Sequence, residues 1–194
     1  MLKAVIFDLN GVFVKSRKLS ERFHERFGVA PEEFFSALNV IMAKVRMPNA
    51  GDSFAYWEPY FEKWGVGLTK EAFLDFWFSG EEEVPEMVSL ARELKAKGVK
   101  LFILSNNFSE RTVFYQEHFP FLRELFDKVY YSWQTGFRKD SEKAYQNLLT
   151  ENSLAPGDCA FFDDSPENIE IARRLGIQAY PFENPERTRS ILVK

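Results

Sequence analysis

The amino-acid sequence predicts an α/β fold, a parallel sheet with helices on both faces that also carries an inserted helical segment. Three observations lead to this prediction. An apolar, strand-like run near the start of the chain, Val5-Ile6-Phe7, ends at Asp8 and a glycine turn. From about Glu83 onward, strand-like and helix-like patterns alternate with short loops, which is typical of a parallel sheet covered on both faces. Residues 15–82 interrupt that alternation with apolar residues at helical spacings.

The second part of the chain supplies the remaining elements of the sheet and its covering helices. Further strands are predicted at 99–104, 129–131, 159–162 and 177–180, and helices at 84–97, 109–125, 142–150 and 166–176. Ser109, Ser141 and Ser165 stand where they can cap helices, and Pro120 is expected to kink or divide the helix that contains it. The chain order predicts three strands winding outward from the first and a return to the first strand's other side.

The segment of residues 15–82, called the helical insert below, is rich in aromatic residues at largely helical spacings. Glycines and prolines divide it into roughly four helices. The aromatics are expected to form the interior of a small helical bundle, and a stacking platform is disfavoured. Because the insert lies between the first and second strands, it is expected beside their carboxyl ends, where parallel sheets bind ligands, and to act as a lid. Glu81-Glu82-Glu83 is expected to form a solvated hinge.

The composition limits the binding partners and the cellular compartment that we expect for this protein. Of the 194 residues 45% are hydrophobic and the formal net charge is −4, so a substantial core is expected and nucleic acid is not expected as a partner. The sequence has no apolar stretch of membrane-spanning length and no signal-peptide layout, which predicts a cytoplasmic protein without a membrane partner. Cys159 is expected to be a buried structural thiol, and His24 and His118 are expected in surface or packing roles.

Carboxylates follow two apolar strands that are far apart in the sequence. Asp8 follows the first strand, and Asp163 and Asp164 follow the run 159–162. Two such strand ends side by side would gather three carboxylates, which is enough to hold a hard cation and an anionic substrate. Asn10, two residues after Asp8, stands where a carboxylate would be a natural proton donor, and an amide cannot do that.

Four motifs carry a resemblance that covers essentially the whole chain. They are FDLNGV at 7–12, LSNN at 104–107, GFRK at 136–139 and FFDDSPEN at 161–168. Together and in this order they resemble the haloacid dehalogenase-like hydrolase superfamily, and within it most the helical-cap sugar-phosphate phosphatases, including the glucose-1-phosphatase-like group. The resemblance implies a Rossmann-like hydrolase core of residues 1–14 and 83–194, and an α-helical cap of residues 15–82.

The resemblance also implies roles for the residues at the strand ends. Asp8 would be the nucleophile, since a carboxylate is ionised at neutral pH without activation. Mg²⁺ would lie between Asp8, Asp164 and the backbone carbonyl of Asn10, and Asp163 would more often act through water or from outside the direct ligands. From the residues alone, Asp8 could instead be a turn aspartate, and Asp163 a helix-entry acid that hydrogen-bonds the loop.

Phosphate binding is implied for residues that follow two other strands. Ser105 and Asn106 would hold phosphate oxygens through a hydroxyl and backbone N–H groups, although such a serine is otherwise an ordinary turn or cap residue. Lys139 would supply positive charge to the phosphoryl oxygens and to Asp8, although a turn lysine is otherwise simply solvated. Asp140 stands where members of the superfamily usually have proline, and Arg138 is expected to pair with Asp140 or another nearby acid.

These features predict a Mg²⁺-dependent, phosphatase-like hydrolase of a small phosphorylated metabolite, with a sugar phosphate as one candidate, acting through an aspartyl-phosphate on Asp8. Most phosphatases of the superfamily have an aspartate where Asn10 stands, and general acid–base help is typically worth roughly 10²–10⁴-fold in rate. The alternative is a non-catalytic or very slow phospholigand-binding protein, and an engineered substitution is a further explanation of Asn10. A 2-haloacid dehalogenase is disfavoured, because such enzymes need no metal and the double aspartate suits one.

Overall fold

The computed structural model describes residues 2–193. In chain order the strands are β1 (Ala4–Phe7), β2 (Val14–Ser16), β3 (Glu81–Glu83), β4 (Lys100–Ser105), β5 (Lys128–Tyr131), β6 (Cys159–Asp163) and β7 (Gln178–Pro181). The helices are α1 (Leu19–Phe27), α2 (Pro31–Val45), α3 (Phe54–Trp64), α4 (Lys70–Phe78), α5 (Pro85–Ala96), α6 (Ser109–His118), α7 (Phe121–Leu125), α8 (Ser132–Thr135), α9 (Glu142–Glu151), α10 (Pro166–Arg174) and α11 (Pro185–Leu192).

Five strands form one parallel sheet in the order β5-β4-β1-β6-β7. Strands β1, β4 and β5 run outward in that order, and the chain then returns to the other side of β1, as the chain order predicts. Phe7 at the end of β1 lies opposite Ile103 of β4 and Phe162 of β6. The carboxyl ends of these three strands therefore meet at one edge of the sheet, where the strand order reverses and where open sheets bind ligands.

The side chains of β1 alternate between two apolar layers. Val5 and Phe7 pack with α5, α6 and α7 on one face, whereas Ala4 and Ile6 pack with α9 and α10 on the other. All four residues of β1 are buried, as a parallel strand covered on both faces requires. The predicted α/β fold with helices on both faces is confirmed. Pro120 separates α6 from α7, so the helix predicted at 109–125 is two helices.

The antiparallel ribbon of β2 and β3 was not expected from the sequence. It pairs Val14 with Glu83 and Ser16 with Glu81 at the two connections of the helical insert. The expectation of a solvated hinge is wrong for Glu81, whose side chain is buried and pairs with Arg111 of α6 at 2.5 Å. The ribbon turns this carboxylate inward towards a cation, while its neighbour Glu82 stays exposed.

Helices α1–α4 of the helical insert pack around an aromatic interior, as their spacings predict. Trp57 is fully buried, and its ring centroid lies 5.1 Å from that of Phe34 and 5.0 Å from that of Phe73. Phe108, which follows β4, joins this interior and lies 5.2 Å from Trp77. The insert therefore packs against the loop after β4. Its boundaries as a domain and its action as a lid stay predictions.

The single cysteine and the histidines have packing environments. Cys159 is buried in β6, and burial raises the pKa of its thiol to about 11, so the thiol stays protonated at neutral pH. His118 stacks on Phe114 with ring centroids 3.9 Å apart, and the Nδ1 atom of His24 lies 3.1 Å from the carbonyl of Val29. Among the helices between residues 2 and 193, none combines the length and the apolar character that crossing a membrane requires.

Candidate active site

Three carboxylates meet at the reversal point of the sheet. Asp8 follows β1, Asp163 ends β6, and Asp164 comes directly after it. The backbone N–H of Asp8 donates to the carbonyl of Phe162 at 2.9 Å, which continues the pairing of β1 with β6 by one residue. One oxygen atom of each carboxylate lies within 4.8 Å of the others. Together with Lys139, these three residues are called the carboxylate edge below.

Lys139 lies between two of these carboxylates and is 3% exposed. Its Nζ atom is 2.7 Å from Asp8 Oδ1 and 2.6 Å from Asp163 Oδ2. Its backbone is also fixed, because its N–H donates to Asn106 Oδ1 at 2.9 Å and its carbonyl accepts from the Tyr145 hydroxyl at 3.1 Å. Burial alone would lower the pKa of Lys139, but the charges of Asp8 and Asp163 outweigh burial and raise it. The ammonium is therefore held charged against Asp8.

The Asp8 carboxylate is buried and is contacted on one of its oxygens. Oδ1 accepts from the backbone N–H of Leu9 at 2.6 Å and from Lys139, which leaves Oδ2 for a substrate or a cation. Burial, partly offset by Lys139 and reinforced by Asp163, raises the pKa of Asp8 to about 6. One ammonium thus does not balance this group of acids, and a divalent cation beside Asp8 would lower its pKa again. The donor set therefore suits a hard cation such as Mg²⁺.

Asp163 and Asp164 are adjacent in sequence but differ in their contacts. Both oxygens of Asp163 accept hydrogen bonds, from the backbone N–H of Ser165 at 2.8 Å, from Asn168 Nδ2 at 3.0 and 3.1 Å, and from Lys139. Asp164 is exposed, and its Oδ2 lies 2.6 Å from the point where a Cβ atom on Gly11 would stand. Gly11 has φ +86°, so this turn needs glycine both for its backbone and for the approach of Asp164.

Ser105 and Asn106 lie at the end of β4, beside Asp8. Ser105 is 2% exposed, and within residues 2–193 its buried hydroxyl has no hydrogen-bond partner. A buried hydroxyl without a partner is costly unless a ligand supplies one, and an anion can accept from it. The Asn106 side chain is occupied in holding the Lys139 backbone, so this side chain positions Lys139.

Asn10 turns its amide towards α6. Its Nδ2 donates to the Tyr115 hydroxyl at 2.5 Å, and its Oδ1 accepts from Asn107 Nδ2 at 3.3 Å. Burial raises the pKa of Tyr115, the charge of Arg111 opposes that shift, and the negative charge of Glu81 adds to it. The hydroxyl therefore stays protonated at neutral pH while it accepts from Asn10. Sequence reasoning missed Tyr115, because its contact with Asn10 spans 105 residues and no local pattern marks it.

The loop that carries Lys139 also holds the ion pair expected from the sequence. Arg138 Nη2 lies 2.7 Å from Asp140 Oδ2, so Asp140 faces Arg138 and its side chain is half exposed. This pairing reduces the effect of the extra acid on Lys139. The structure thus brings Asp8, Lys139, Asp163 and Asp164 together and places Ser105 and Asn106 beside them, whereas the Asn10 side chain points to α6.

Comparison with known protein families agrees with this arrangement. A family model of haloacid dehalogenase-like hydrolases matches residues 2–176. The chain belongs to this family. Among curated proteins, acyl-CoA dehydrogenase family member 10 of Mus musculus is 30% identical over 174 residues, 90% of this chain and 14% of the mouse protein. A phosphatase of Mycobacterium tuberculosis is 29% identical over 113 residues, 57% of this chain and 51% of that protein. The chain thus spans at most about half the length of these two relatives.

Solved structures of the same family share the fold over the whole chain. A haloacid dehalogenase-family enzyme from Bacteroides thetaiotaomicron matches with a TM-score of 0.83 at 20% identity and covers 100% of this chain and 99% of that one. The same enzyme has been solved in complex with magnesium and inorganic phosphate, where the TM-score is 0.78 over 94% of this chain and 95% of that one, at 20% identity. A protein from Porphyromonas gingivalis described as a predicted hydrolase of this family matches with a TM-score of 0.73 at 26% identity, over 100% and 99% of the two chains.

Proposed function

We propose that this protein is a Mg²⁺-dependent phosphatase that acts on a small phosphorylated metabolite through an aspartyl-phosphate on Asp8. The observation that carries the proposal is the environment of Asp8. Its Oδ1 is held by Lys139 and the Leu9 amide, and its Oδ2 is left for an incoming phosphorus atom at the edge of the sheet. A carboxylate that is fixed on one oxygen and free on the other is suited to in-line attack.

In the proposed reaction, Asp8 Oδ2 forms a bond to phosphorus as the bond from phosphorus to the leaving oxygen breaks, and that oxygen takes a proton from solvent water to leave as the alcohol. Water then attacks the phosphorus of the aspartyl-phosphate and gives a proton to solvent, which restores the Asp8 carboxylate and releases inorganic phosphate. Lys139 stabilises the negative charge of the phosphoryl oxygens and keeps Asp8 in place. The Ser105 hydroxyl, which lacks a partner within the described residues, donates to a phosphoryl oxygen, and the backbone at Asn106 binds another.

Asp8, Asp164 and the backbone carbonyl of Asn10 are the proposed Mg²⁺ ligands, and Asp163 fixes Lys139 and the start of α10 instead. The saturated hydrogen bonding of Asp163 and the open Asp164 carboxylate support this division. When bound, the cation would neutralise charge on the phosphoryl group and orient it towards Asp8. A small phosphate ester, a sugar phosphate among the candidates, is the proposed substrate class, and the helical insert is proposed to cover it as a cap.

Named relatives support the phosphatase proposal over other hydrolytic reactions. They include the mycobacterial phosphatase and a D-ribitol-5-phosphate phosphatase of Bacteroides thetaiotaomicron, which is 30% identical over 63 residues, 32% of this chain and 31% of that protein. Asn10 supports a second candidate, a protein that binds a phosphorylated ligand and turns it over very slowly or not at all, because an amide cannot protonate a leaving alcohol.

A screen of phosphorylated metabolites with and without Mg²⁺ tests the two candidates. We expect Mg²⁺-dependent release of phosphate, and a phosphate adduct on the protein detectable by mass spectrometry, with both lost in Asp8→Asn. Asp140→Asn is the matched control, because Asp140 is a nearby exposed acid that faces Arg138 and not Asp8. Thermal stabilisation by a phosphate ester without any release of phosphate would support the binding protein and reject the phosphatase.

A further inference from the structure

The loop after α2 packs against two segments of the core near the carboxylate edge. On one side, Pro48 packs on the loop that leads to Lys139, since its Cγ lies 3.5 Å from the point where a Cβ on Gly136 would stand. On the other side, the backbone N–H of Ser53 donates to Glu110 Oε1 of α6 at 2.8 Å. The two contacts hold this loop against the core, and Arg46, which directly follows α2, begins it.

Arg46 is a partly buried cation without a protein counter-ion among the described residues. Within residues 2–193 no carboxylate pairs with it, and its buried Nε–H has no hydrogen-bond partner. Burial, followed by the positive charges of Arg111 and Arg138, lowers the pKa of Arg46 to about 10, and the Asp8 carboxylate opposes that shift. The contacts of Pro48 with Gly136 and of Ser53 with Glu110 bring the loop that follows Arg46 to the segments that carry Arg138 and Arg111, so the three guanidinium groups belong to one region of the molecule.

The other two arginines already have acids. Arg111 pairs with Glu81 and Arg138 pairs with Asp140, yet the Nε–H of each is also buried with no partner among residues 2–193. Arg46 is thus the member of the group whose charge is not balanced. A buried N–H group without an acceptor is costly, and three such guanidinium groups suit an oxyanion.

The geometry of in-line attack indicates which part of the substrate would carry an anionic group that these arginines bind. In-line attack by Asp8 puts the leaving oxygen on the side of phosphorus opposite Asp8. The helical insert approaches the loop that leads to Lys139 through Pro48, and we assign the leaving-group side to the insert and to Arg46, because Lys139 and Ser105 already serve the transferred phosphoryl group. We propose that Arg46, with Arg111 and Arg138, forms a subsite for a second anionic group, a carboxylate or a second phosphate, on the leaving group of the substrate. This inference rests on the proposed function, because it uses the in-line geometry at Asp8.

A matched pair of esters tests the subsite. 3-Phosphoglycerate and glycerol 3-phosphate release similar primary alcohols and differ in having a carboxylate or a hydroxymethyl group. Dissociation constants are measured by calorimetry on the Asp8→Asn protein with Mg²⁺, and kcat/KM on the protein with Asp8 intact. We expect both quantities to favour the carboxylate ester by about tenfold to a hundredfold, the usual value of a charge-assisted hydrogen bond.

The ratio between the two esters, in dissociation constant and in kcat/KM, should fall to near one in Arg46→Ala. Arg46→Gln, which retains more of the side chain, should give the same result and serves if the alanine variant does not fold. Lys44→Ala is the control, since Lys44 is an exposed cation on the same helix, and it should keep the preference. If the protein with Arg46 intact shows no preference for the carboxylate ester, the inference is overturned. An equal loss for both esters in Arg46→Ala would overturn it too, because it would put Arg46 on the transferred phosphoryl group. If no ester is hydrolysed but the binding preference behaves as expected, the proposed function fails and the subsite stands.

Discussion

The interior of the helical insert and three of the four side chains of the carboxylate edge are buried, but the two regions differ in the chemistry of the groups they bury. The interior of the insert consists of aromatic and aliphatic side chains, with Trp57 between Phe34 and Phe73. The carboxylate edge consists of three acids around one ammonium, and burial raises the pKa of Asp8 to about 6. Packed rings stabilise a fold by about 0.5–1.5 kcal/mol per pair beyond their buried area, whereas buried charges rarely contribute net stability.

This contrast predicts which region determines stability and which determines reactivity. A change inside the insert should alter the free energy of unfolding and leave the chemistry of each folded molecule nearly intact. A change at the carboxylate edge should alter binding and turnover with little loss of stability. Variants in the two regions can therefore test whether the division holds.

The largest expected effect is at Asn10. Asn10→Asp should raise turnover of a sugar phosphate by up to roughly 10²–10⁴-fold, because a carboxylate can protonate the leaving alcohol and activate the attacking water. Tyr115 and Asn107 can donate hydrogen bonds to the new carboxylate. Mg²⁺ affinity should change little, since the backbone carbonyl remains. Steady-state kinetics and calorimetry measure both, and Asn10→Ala separates loss of the amide from gain of the acid. Unchanged turnover in Asn10→Asp would mean that another group or water moves the proton.

The next effect concerns the interior of the insert. Trp57→Ala should lower the free energy of unfolding by about 3–5 kcal/mol, because it leaves a cavity among packed rings. Urea denaturation measures this loss, and turnover normalised to the folded fraction should change much less. Phe35→Ala is the control, because Phe35 is 55% exposed on the same insert, and it should cost less than about 0.5 kcal/mol. A loss below 1 kcal/mol for Trp57→Ala would contradict the packing described for the insert.

Alanine substitutions at the adjacent residues Asp163 and Asp164 should differ in how much they weaken Mg²⁺ affinity. Asp164→Ala should weaken binding by about a hundredfold, because it would remove the proposed direct carboxylate ligand. Asp163→Ala should weaken it by about tenfold, because it only loosens Lys139 and the start of α10. Calorimetric titration of both variants and of the unchanged protein measures the difference. Equal affinity in Asp164→Ala and the unchanged protein would rule out Asp164 as a ligand.

The smallest effect is on the pH dependence of stability. The pKa of Asp8 in the folded protein, about 6, lies above its ordinary value of 3.8. The contribution of protonated Asp8 to the free energy of unfolding is therefore fully present below about pH 4 and is lost as the pH rises through 6. In metal-free protein at pH 8, Asp8→Asn should raise stability by about 1 kcal/mol, and the gain should shrink towards pH 4. Thermal denaturation at both pH values measures it, with Asp140→Asn as the control. Lower stability of Asp8→Asn at pH 8 would mean that the pairing with Lys139 outweighs the effect of burial.

The sheet and the meeting of its strand ends could be predicted because they depend on local patterns and chain order. The apolar run of β1 and the acids after β1 and β6 mark where side chains emerge, and parallel order then brings Asp8 close to Asp164. The double aspartate also predicts a cation, but which oxygens are open depends on donors such as Asn168 and Lys139. That information lies in three-dimensional packing.

Other contacts could not be read from the sequence, because they join residues that are far apart or that break a local rule. Three consecutive glutamates indicate a solvated surface, yet the ribbon turns Glu81 inward to Arg111, 30 residues away. Tyr115 has the spacing of an ordinary core residue of α6, and nothing in its neighbourhood indicates the contact with Asn10. Arg46 follows a helix of the insert, and its neighbours in sequence do not show that its Nε–H is buried without a partner among the described residues.

Phe108 has a consequence for how freely this family can exchange its inserted segments. This ring follows β4 in the core but is buried among the rings of the insert, next to Trp77 and Phe78. An insert excised at its two connections would lose part of its own interior, and a foreign insert placed on this core would meet a ring shaped for another partner. Phe108 therefore makes the insert and its host interdependent, so that successful grafts between relatives need to carry the loop after β4 together with the inserted helices.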